Sequence, residues 1–315
     1  MSETFASDFE RDRILSLESY RILDSLPEKE YDIITRLAAY SCKKPISIIT
    51  FIDLDSQFIK SHLGMNTGKS RREDSICQLT IQENNLLEIN DTLLDPRTAN
   101  LPVVLQAPNP RFYAGAPLIS PEGFILGSLC VMDVVPGKLD EDQKQALSDL
   151  ASQVVSHLEA RKKNIELNTL ITKYEEISTM FNNSAELQTI IDRNGTILVL
   201  NKSVEKLLGY TREESEGRSM WEFFLEEDIK STIPILSEGL SSGKKNFEIE
   251  ARIKLKNGGT KWMGWSLAVK NDKWYVNGRD ISEQKLMIAE LRQLSLVADS
   301  VNNGVVISIK FRRTG

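Results

Sequence analysis

The side chains able to do nucleophilic, redox or metal chemistry are few: Cys42, Cys77 and Cys130, with His62 and His157. No two of them have the close spacing of a zinc knuckle, so no metal site is expected. Beyond His157 neither residue type occurs. A cofactor in the second half therefore cannot be a histidine-ligated haem, nor a flavin that forms a cysteinyl adduct. No cofactor is expected, and purified protein should show no visible chromophore. A noncovalent flavin or a fatty acid is left open for the second half. An odd cysteine count argues against a disulfide framework. Near Cys77 the charges of Arg71 and Arg72 are offset by Glu73 and Asp74, so no strong activation of that thiol is expected. His157 lies between Ser156 and Leu158 and reads as a helix-surface or seam residue.

The elements that must position these residues follow from pattern. A helix is expected over Arg11–Leu23, broken near Pro27. A second helix starts there, with Tyr31, Ile34, Leu37, Ala38 and Ala39 on one face, and ends at Lys43–Pro45. The β-branched run Ile46–Ile52 and the segment Gln57–His62 then form a hairpin around Asp53–Ser56. Gly64 to Ile76 reads as a solvated loop. Cys77–Asn84 reads as a short helix and Leu86–Ile89 as a short strand. The Pro- and Asn-rich stretch Asp91–Pro110 reads as a mobile covering loop. Phe112–Ile119 and Phe124–Met132 form two strong strands, the second interrupted by Gly127.

From Asp140 to Thr179 the sequence has neither Pro nor Gly, which predicts one long helix. Leu147, Leu150, Val154 and Leu158 make an apolar stripe. It weakens at Glu159, Arg161, Lys162 and Lys163, then resumes as Leu167, Leu170, Tyr174, Ile177 and Phe181. These residues are expected to form the seam of a parallel two-stranded coiled coil between subunits, with a stutter or break near Arg161. The alternative is a helix packed on its own two domains and broken at Lys162–Asn164.

A second domain begins near Ser184. Leu187–Ile191 and Thr196–Leu200 flank an Asn-Gly hairpin signal. Asn201 is expected to cap a helix that Gly209 ends, and Thr211 with Glu214 fits a capping box. Asp228–Leu240 reads as a further helix. Phe247 to Leu255 alternates apolar and charged residues, the mark of a sheet with one wet face. Lys261–Val269 and Lys273–Asn277 add two strands. Trp265 shares its parity with Met263 and Leu267 and should face inward. Trp262 should face outward, where a flanking helix or a second subunit would cover it. A last helix to about Asp299 and a strand-like segment at 303–309 end the pattern.

These motifs support recognition. Residues 14–160 resemble a GAF domain of bacterial sensor proteins. The resemblance rests on the helix through Tyr31–Cys42, the strand from Ile46 and the segments Gln57–His62, Ser75–Cys77 and Asp95–Arg97. It rests also on Phe112–Leu118 and Gly127–Asp133. Residues 175–283 resemble a PAS domain, through the Asp192–Gly195 turn, Asn201–Thr211, the Lys256–Gly259 hairpin and Gly278–Ser282. Residues 291–309 are similar to the start of a second PAS domain. The expected architecture is α+β: a GAF-like antiparallel sheet domain (1–160) and a PAS-like antiparallel sheet domain (181–283). A connecting helix expected to form a coiled coil (140–180) joins them, and an output helix with a truncated second PAS-like start (284–315) follows.

The resemblance implies a sensory module that passes a signal to a kinase or cyclase output domain, or to a partner kinase, and that is not itself an enzyme. The alternative is a stand-alone GAF-type thiol redox enzyme, although the order and contexts of the three cysteines depart from that family. A structural dimerisation adaptor without ligand is a further alternative. An unknown small molecule would occupy a GAF pocket lined by Phe51, Phe58, Cys77, Tyr113 and Cys130, or a PAS pocket lined by Phe223, Phe224 and Trp265. Plain core packing is the competing reading for both sets. Cys77 is followed by Gln78, which departs from the cysteine–histidine pair of bilin-binding relatives. The net charge of −6 argues against nucleic acid as a partner. There is no apolar run of membrane-spanning length and no apolar signal-peptide core in Met1–Asp12, so a cytoplasmic homodimer is expected.

Overall fold

The computed structural model describes residues 2–65 and 69–302, with side chains for 8–65 and 69–297. The chain divides between residues 170 and 171 into two compact units.

The first unit runs α1 (Ser2–Ser19), α2 (Lys29–Cys42), β1 (Ile46–Ile52), β2 (Ser56–Leu63), β3 (Ser70–Arg71), α3 (Cys77–Thr80), β4 (Leu87–Ile89), α4 (Pro102–Leu105), β5 (Phe112–Ile119) and β6 (Ile125–Asp133). It takes in the first part of α5 (Glu141–Asn183). The strands form one antiparallel sheet in the order β3-β2-β1-β6-β5-β4. Every residue of β1 is buried, because both faces of the sheet are covered. On one face Ile49, Phe51, Leu129 and Val131 pack with Leu17, Tyr31, Ile34 and Ala38 of the helices. On the other Ile46, Ile48, Cys130 and Met132 pack with Cys77, Val104 and Tyr113.

Leu37 was expected on the inward face of α2 but is exposed. Tyr31, Ile34, Thr35, Ala38 and Cys42 follow the helical period more closely and take that face. Lys43 ends the helix in the left-handed conformation, with φ 53°. The stretch from Asp91 to Pro110 is not a loose cover. Buried Thr92 donates its hydroxyl to the Pro110 carbonyl at 2.5 Å, and buried Thr98 donates to the Thr92 carbonyl at 2.7 Å. Arg111 then clamps Asp91 through two hydrogen bonds of 2.9 and 2.6 Å.

Arg13 is buried and reaches the Ile52 carbonyl at 2.7 Å, while Glu10 joins it to Arg72. Burial would raise the Glu10 carboxyl, but hydrogen bonds from Arg13 and Arg72 outweigh it and hold the group at about 2 against an ordinary 4.5. The folded value lies below the unfolded one. The cluster therefore stabilises fully above about pH 4.5, and that contribution is lost as pH falls toward about 2. In acid titrations of unfolding, Glu10→Gln should flatten the slope of stability against pH within that window. Parallel curves for parent and variant would show that the cluster contributes nothing.

The start of α5 differs from the seam expected of it. Leu147, Val154 and Leu158 are fully buried in the first unit's own core, with Ala151 among them and Leu150 packed at its edge. They are used within one subunit and leave nothing for a partner, so their place in an intersubunit seam is corrected. The charged interruption has a local cause. Arg161 donates to the carbonyls of Tyr20 and Arg21 at 3.1 and 3.0 Å and pairs with Glu28 at 2.6 Å. The helix passes Lys162–Asn164 without a break.

The second unit contains β7 (Leu187–Asp192), β8 (Ile197–Leu200), α6 (Ser203–Leu208), α7 (Arg212–Ser215), α8 (Glu226–Ser241), β9 (Asn246–Lys254), β10 (Thr260–Lys270), β11 (Lys273–Asp280) and α9 (Ser282–Asn302). Its antiparallel sheet has the order β8-β7-β11-β10-β9. Phe247, Ala251 and Ile253 are buried, while Glu248, Glu250 and Lys254 face water. Gly209 ends α6 at φ 81°, a conformation glycine adopts without a Cβ penalty. The Thr211–Glu214 capping box is formed.

Asn201 is not a helix cap; Lys202 holds that position. The Asn201 amide is buried and must satisfy both its ends internally. It donates to the carbonyls of Phe181 and Glu186, both at 2.9 Å, and accepts from the Gln188 amide at 3.0 Å. It ties the end of α5 to β7. Trp262 lies on the wet face, flanked by Lys285 of α9 at 5.1 Å and Arg252 at 5.4 Å from its ring. The first turn of α9 is therefore its cover. The strand-like segment at 303–309 lies outside the described residues.

Candidate functional site

The sheet face of the first unit opposite the long helices carries a cavity of ≈ 330 Å³. Its wall is mixed. Ile48, Tyr113 and Met132 supply the sheet side, and Ser75, Ile76 and Cys77 supply the approach to α3. Gln57, Lys69, Asp74 and Gln106 supply polar groups at the rim. Behind the wall lies a buried cluster of sulfur and hydroxyl groups. Cys77 and Cys130 place their Sγ atoms 3.9 Å apart. Thr80 and Tyr113 share a 2.6 Å hydroxyl contact, and Thr50 and Ser128 a 3.2 Å one. The Cys77 amide donates to the Ser75 hydroxyl at 3.0 Å.

The hydrogen bond from Cys130 favours the Cys77 thiolate, against burial, and contacts from Ser128, Thr50 and Tyr113 add to it; the Cys77 thiol is held below its usual range. The same pairing, together with burial, drives Cys130 upward. Burial does the same to the Tyr113 hydroxyl. Cys42 belongs to the helix-side core, where burial pushes its thiol to about 11.

Of the five residues expected around a pocket here, Cys77, Tyr113 and Cys130 come together. Phe51 and Phe58 do not. They pair across β1 and β2 and belong to the opposite, helix-covered face. The hydroxyls of Thr50, Thr80 and Ser128 were not anticipated. In a strand buried on both sides, alternation carries no sign of which face a residue takes.

In the second unit Phe223, Phe224 and Trp265 do converge, with the Phe224 and Trp265 rings 5.2 Å apart. The space left among them and Leu187, Leu200 and Val276 is only ≈ 40 Å³. In this structure these residues pack closely against one another in the core of the second unit.

Residues 27–158 match the family model for the GAF domain, and residues 175–272 match that for the PAS fold. The chain is a GAF domain followed by a PAS domain. Both are sensory folds, and the α+β architecture with a long helix between them is as expected. The PAS segment is similar to the PAS domain of an HTR-like protein from Haloarcula marismortui. The two are 26% identical, the match covers 38% of this chain and 99% of that one, and the TM-score is 0.34. It is similar also to the PAS domain of the RpfR quorum-sensing receptor of Cronobacter turicensis in complex with BDSF. Here identity is 20%, coverage is 31% of this chain and 96% of that one, and the TM-score is 0.29.

A cyclic di-GMP phosphodiesterase of Pseudomonas aeruginosa is 29% identical over 207 residues, 64% of this chain and 35% of the relative. The chain thus spans about a third of that relative's length. This finding corrects the expectation that the chain is not itself an enzyme: a relative 29% identical to it over 207 residues is named as one. Among the described residues no helix is long and apolar enough to cross a membrane.

Proposed function

We propose that the chain is the sensory region of a signal-transduction protein, that it works as a parallel homodimer in the cytosol, and that its output is cyclic di-GMP turnover. The observation that carries the proposal is the apolar row left uncovered on α5. Leu170 is 63% exposed and Tyr174 74%, with Leu167 and Ile177 more than half exposed as well. With the half-buried Phe181 they stand at intervals of three, four, three and four residues, the spacing of a coiled-coil seam. Such a row is unfavourable in water and is stabilised by a second copy of itself. On α9 the exposed Met287, Leu291 and Leu294 repeat the spacing at four and three.

In this reading the GAF domain (1–160) senses through its cavity, where Cys77 and Tyr113 contact a small molecule and Cys130 lies behind them. The helix at 140–180 carries the change to the PAS domain (181–283), and residues 284–315 pass it to an output domain or partner. A helix anchored in the GAF core by Leu147 and Leu158, and tied to β7 through Asn201, transmits a rotation or register shift rather than absorbing it. The link to cyclic di-GMP draws on the Pseudomonas aeruginosa relative.

Cellular cyclic di-GMP tests the output. A strain carrying Leu170→Ala in this protein should differ from its parent in cyclic di-GMP, and a strain carrying Glu175→Ala should not. Levels that stay the same even when the protein is deleted would remove the messenger from the proposal.

A further inference from the structure

Cys77 opens α3 and Cys130 lies within β6, 53 residues apart in sequence, yet their sulfurs are 3.9 Å apart. Nothing in the sensory reading requires two thiols to meet there. Their exposure to the cavity is unequal. Cys77 is buried at 4% exposure but borders the cavity, whereas Cys130, at 0%, lies behind the wall between Ile48 and Gly115 of the flanking strands. The hydrogen bonding is unequal too: Cys130, Thr50, Ser128 and Tyr113 all favour charge on the Cys77 sulfur. One cysteine borders the cavity and is activated, and the other lies within reach of it. That is the division of labour between an attacking and a resolving thiol. Cys42 has neither property, being on the helix-covered face with its thiol raised by burial.

We infer that Cys77 and Cys130 are a peroxide-responsive pair, oxidised to a reversible disulfide by hydrogen peroxide entering the GAF cavity. The Cys77 thiolate attacks one peroxide oxygen. The O–O bond breaks, the departing hydroxide takes up the thiol's proton and leaves as water, and Cys77 becomes a sulfenic acid. The Cys130 sulfur then attacks the Cys77 sulfur. The S–S bond forms, the S–O bond breaks, and the released hydroxide leaves as a second water with the proton of Cys130. The two thiols are oxidised by two electrons and the peroxide is reduced by two.

A disulfide needs its sulfurs about 2.05 Å apart, so the pair must close by nearly half its present separation. The movement draws the first turn of α3 toward β6. Ser75 and Ile76, which line the cavity, precede that turn, and Thr80, which holds the Tyr113 hydroxyl, ends it. Oxidation therefore reshapes the cavity wall, whatever molecule the cavity takes.

The test treats the full chain with hydrogen peroxide, blocks remaining thiols with an alkylating agent in denaturant, and maps the peptides by mass spectrometry. The expected result is a Cys77–Cys130 linkage that dithiothreitol reverses, with Cys42 still alkylated and Cys77 consumed about tenfold faster than Cys42 or more. Cys130→Ser, which keeps a hydrogen-bond donor beside Cys77, should leave Cys77 as a sulfenic acid that dimedone traps, and Cys77→Ser should abolish the peroxide response of Cys130. Far-ultraviolet circular dichroism of both variants reports that they are folded. Oxidation of Cys42 first, or a parent in which no Cys77–Cys130 linkage forms, would overturn the inference.

Discussion

Leu170→Ala is expected to raise the dissociation constant of the dimer by about tenfold or more, a change worth about 1.4 kcal/mol. Truncating a leucine that is buried on assembly typically costs about 2–5 kcal/mol, and a symmetric seam loses two such side chains for one substitution. In the single subunit Leu170 is 63% exposed, so it contributes little to the fold of either domain and the loss falls on association. Glu175 is exposed one step round the helix from Tyr174, where a charged side chain contributes about 0–1 kcal/mol. Glu175→Ala should therefore leave the constant nearly unchanged. Sedimentation equilibrium on parent and variants reads both effects. Equal constants for all three proteins would place the apolar row outside the interface.

Gly127→Ala is expected to damage the GAF domain itself. Gly127 faces Phe51 where β6 crosses β1, and a Cβ there would come within 1.9 Å of the Thr50 carbonyl oxygen and 2.8 Å of the Phe51 Cα. Both obstacles are backbone, so no side chain can swing aside and the two central strands must part. Overpacking of this kind costs about 1–3 kcal/mol and sometimes more. At the upper end, in a domain of this size, the unfolding midpoint should fall by roughly 6–12 °C. Gly123→Ala is the control, since nothing lies within 4 Å of a Cβ at that turn, though its φ of +90° carries a local backbone strain. Differential scanning calorimetry separates the outcomes. A Gly127→Ala midpoint equal to the parent's would mean that the strands are less closely apposed than described.

Local chemistry was legible in the sequence wherever neighbours in the chain settle the structure. The Thr211–Glu214 capping box, the left-handed Gly209 and the alternation of β9 all depend on residues a few positions apart, and each is as read. Gly127 stood out as an interruption in an apolar strand, and its reason is the close approach of β1. What failed was the choice between partners that share one periodicity. Leu147, Val154 and Leu158 recur at helical spacing whether they meet a GAF core or a second subunit, and only the packed fold distinguishes the two. The cue available was Arg161, whose charge marks where the helix leaves the core.

The candidate site failed for a related reason. Phe51 and Cys130 both lie in strands buried on both faces, so neither strand shows by its pattern which side each residue takes. The approach of Cys77 to Cys130 depends on how α3 docks across 53 residues of intervening chain. Asn201 was misread because Asn suits a helix cap as well as it suits a buried clamp, and its true partners, Phe181 and Glu186, precede it by 20 and 15 residues.

The central claim is that the exposed row on α5 joins two copies of the chain. Light scattering across a range of micromolar concentrations tests it most directly. The account predicts a mass close to twice 35.6 kDa, falling toward 35.6 kDa only on dilution. A mass of 35.6 kDa at every concentration would contradict it.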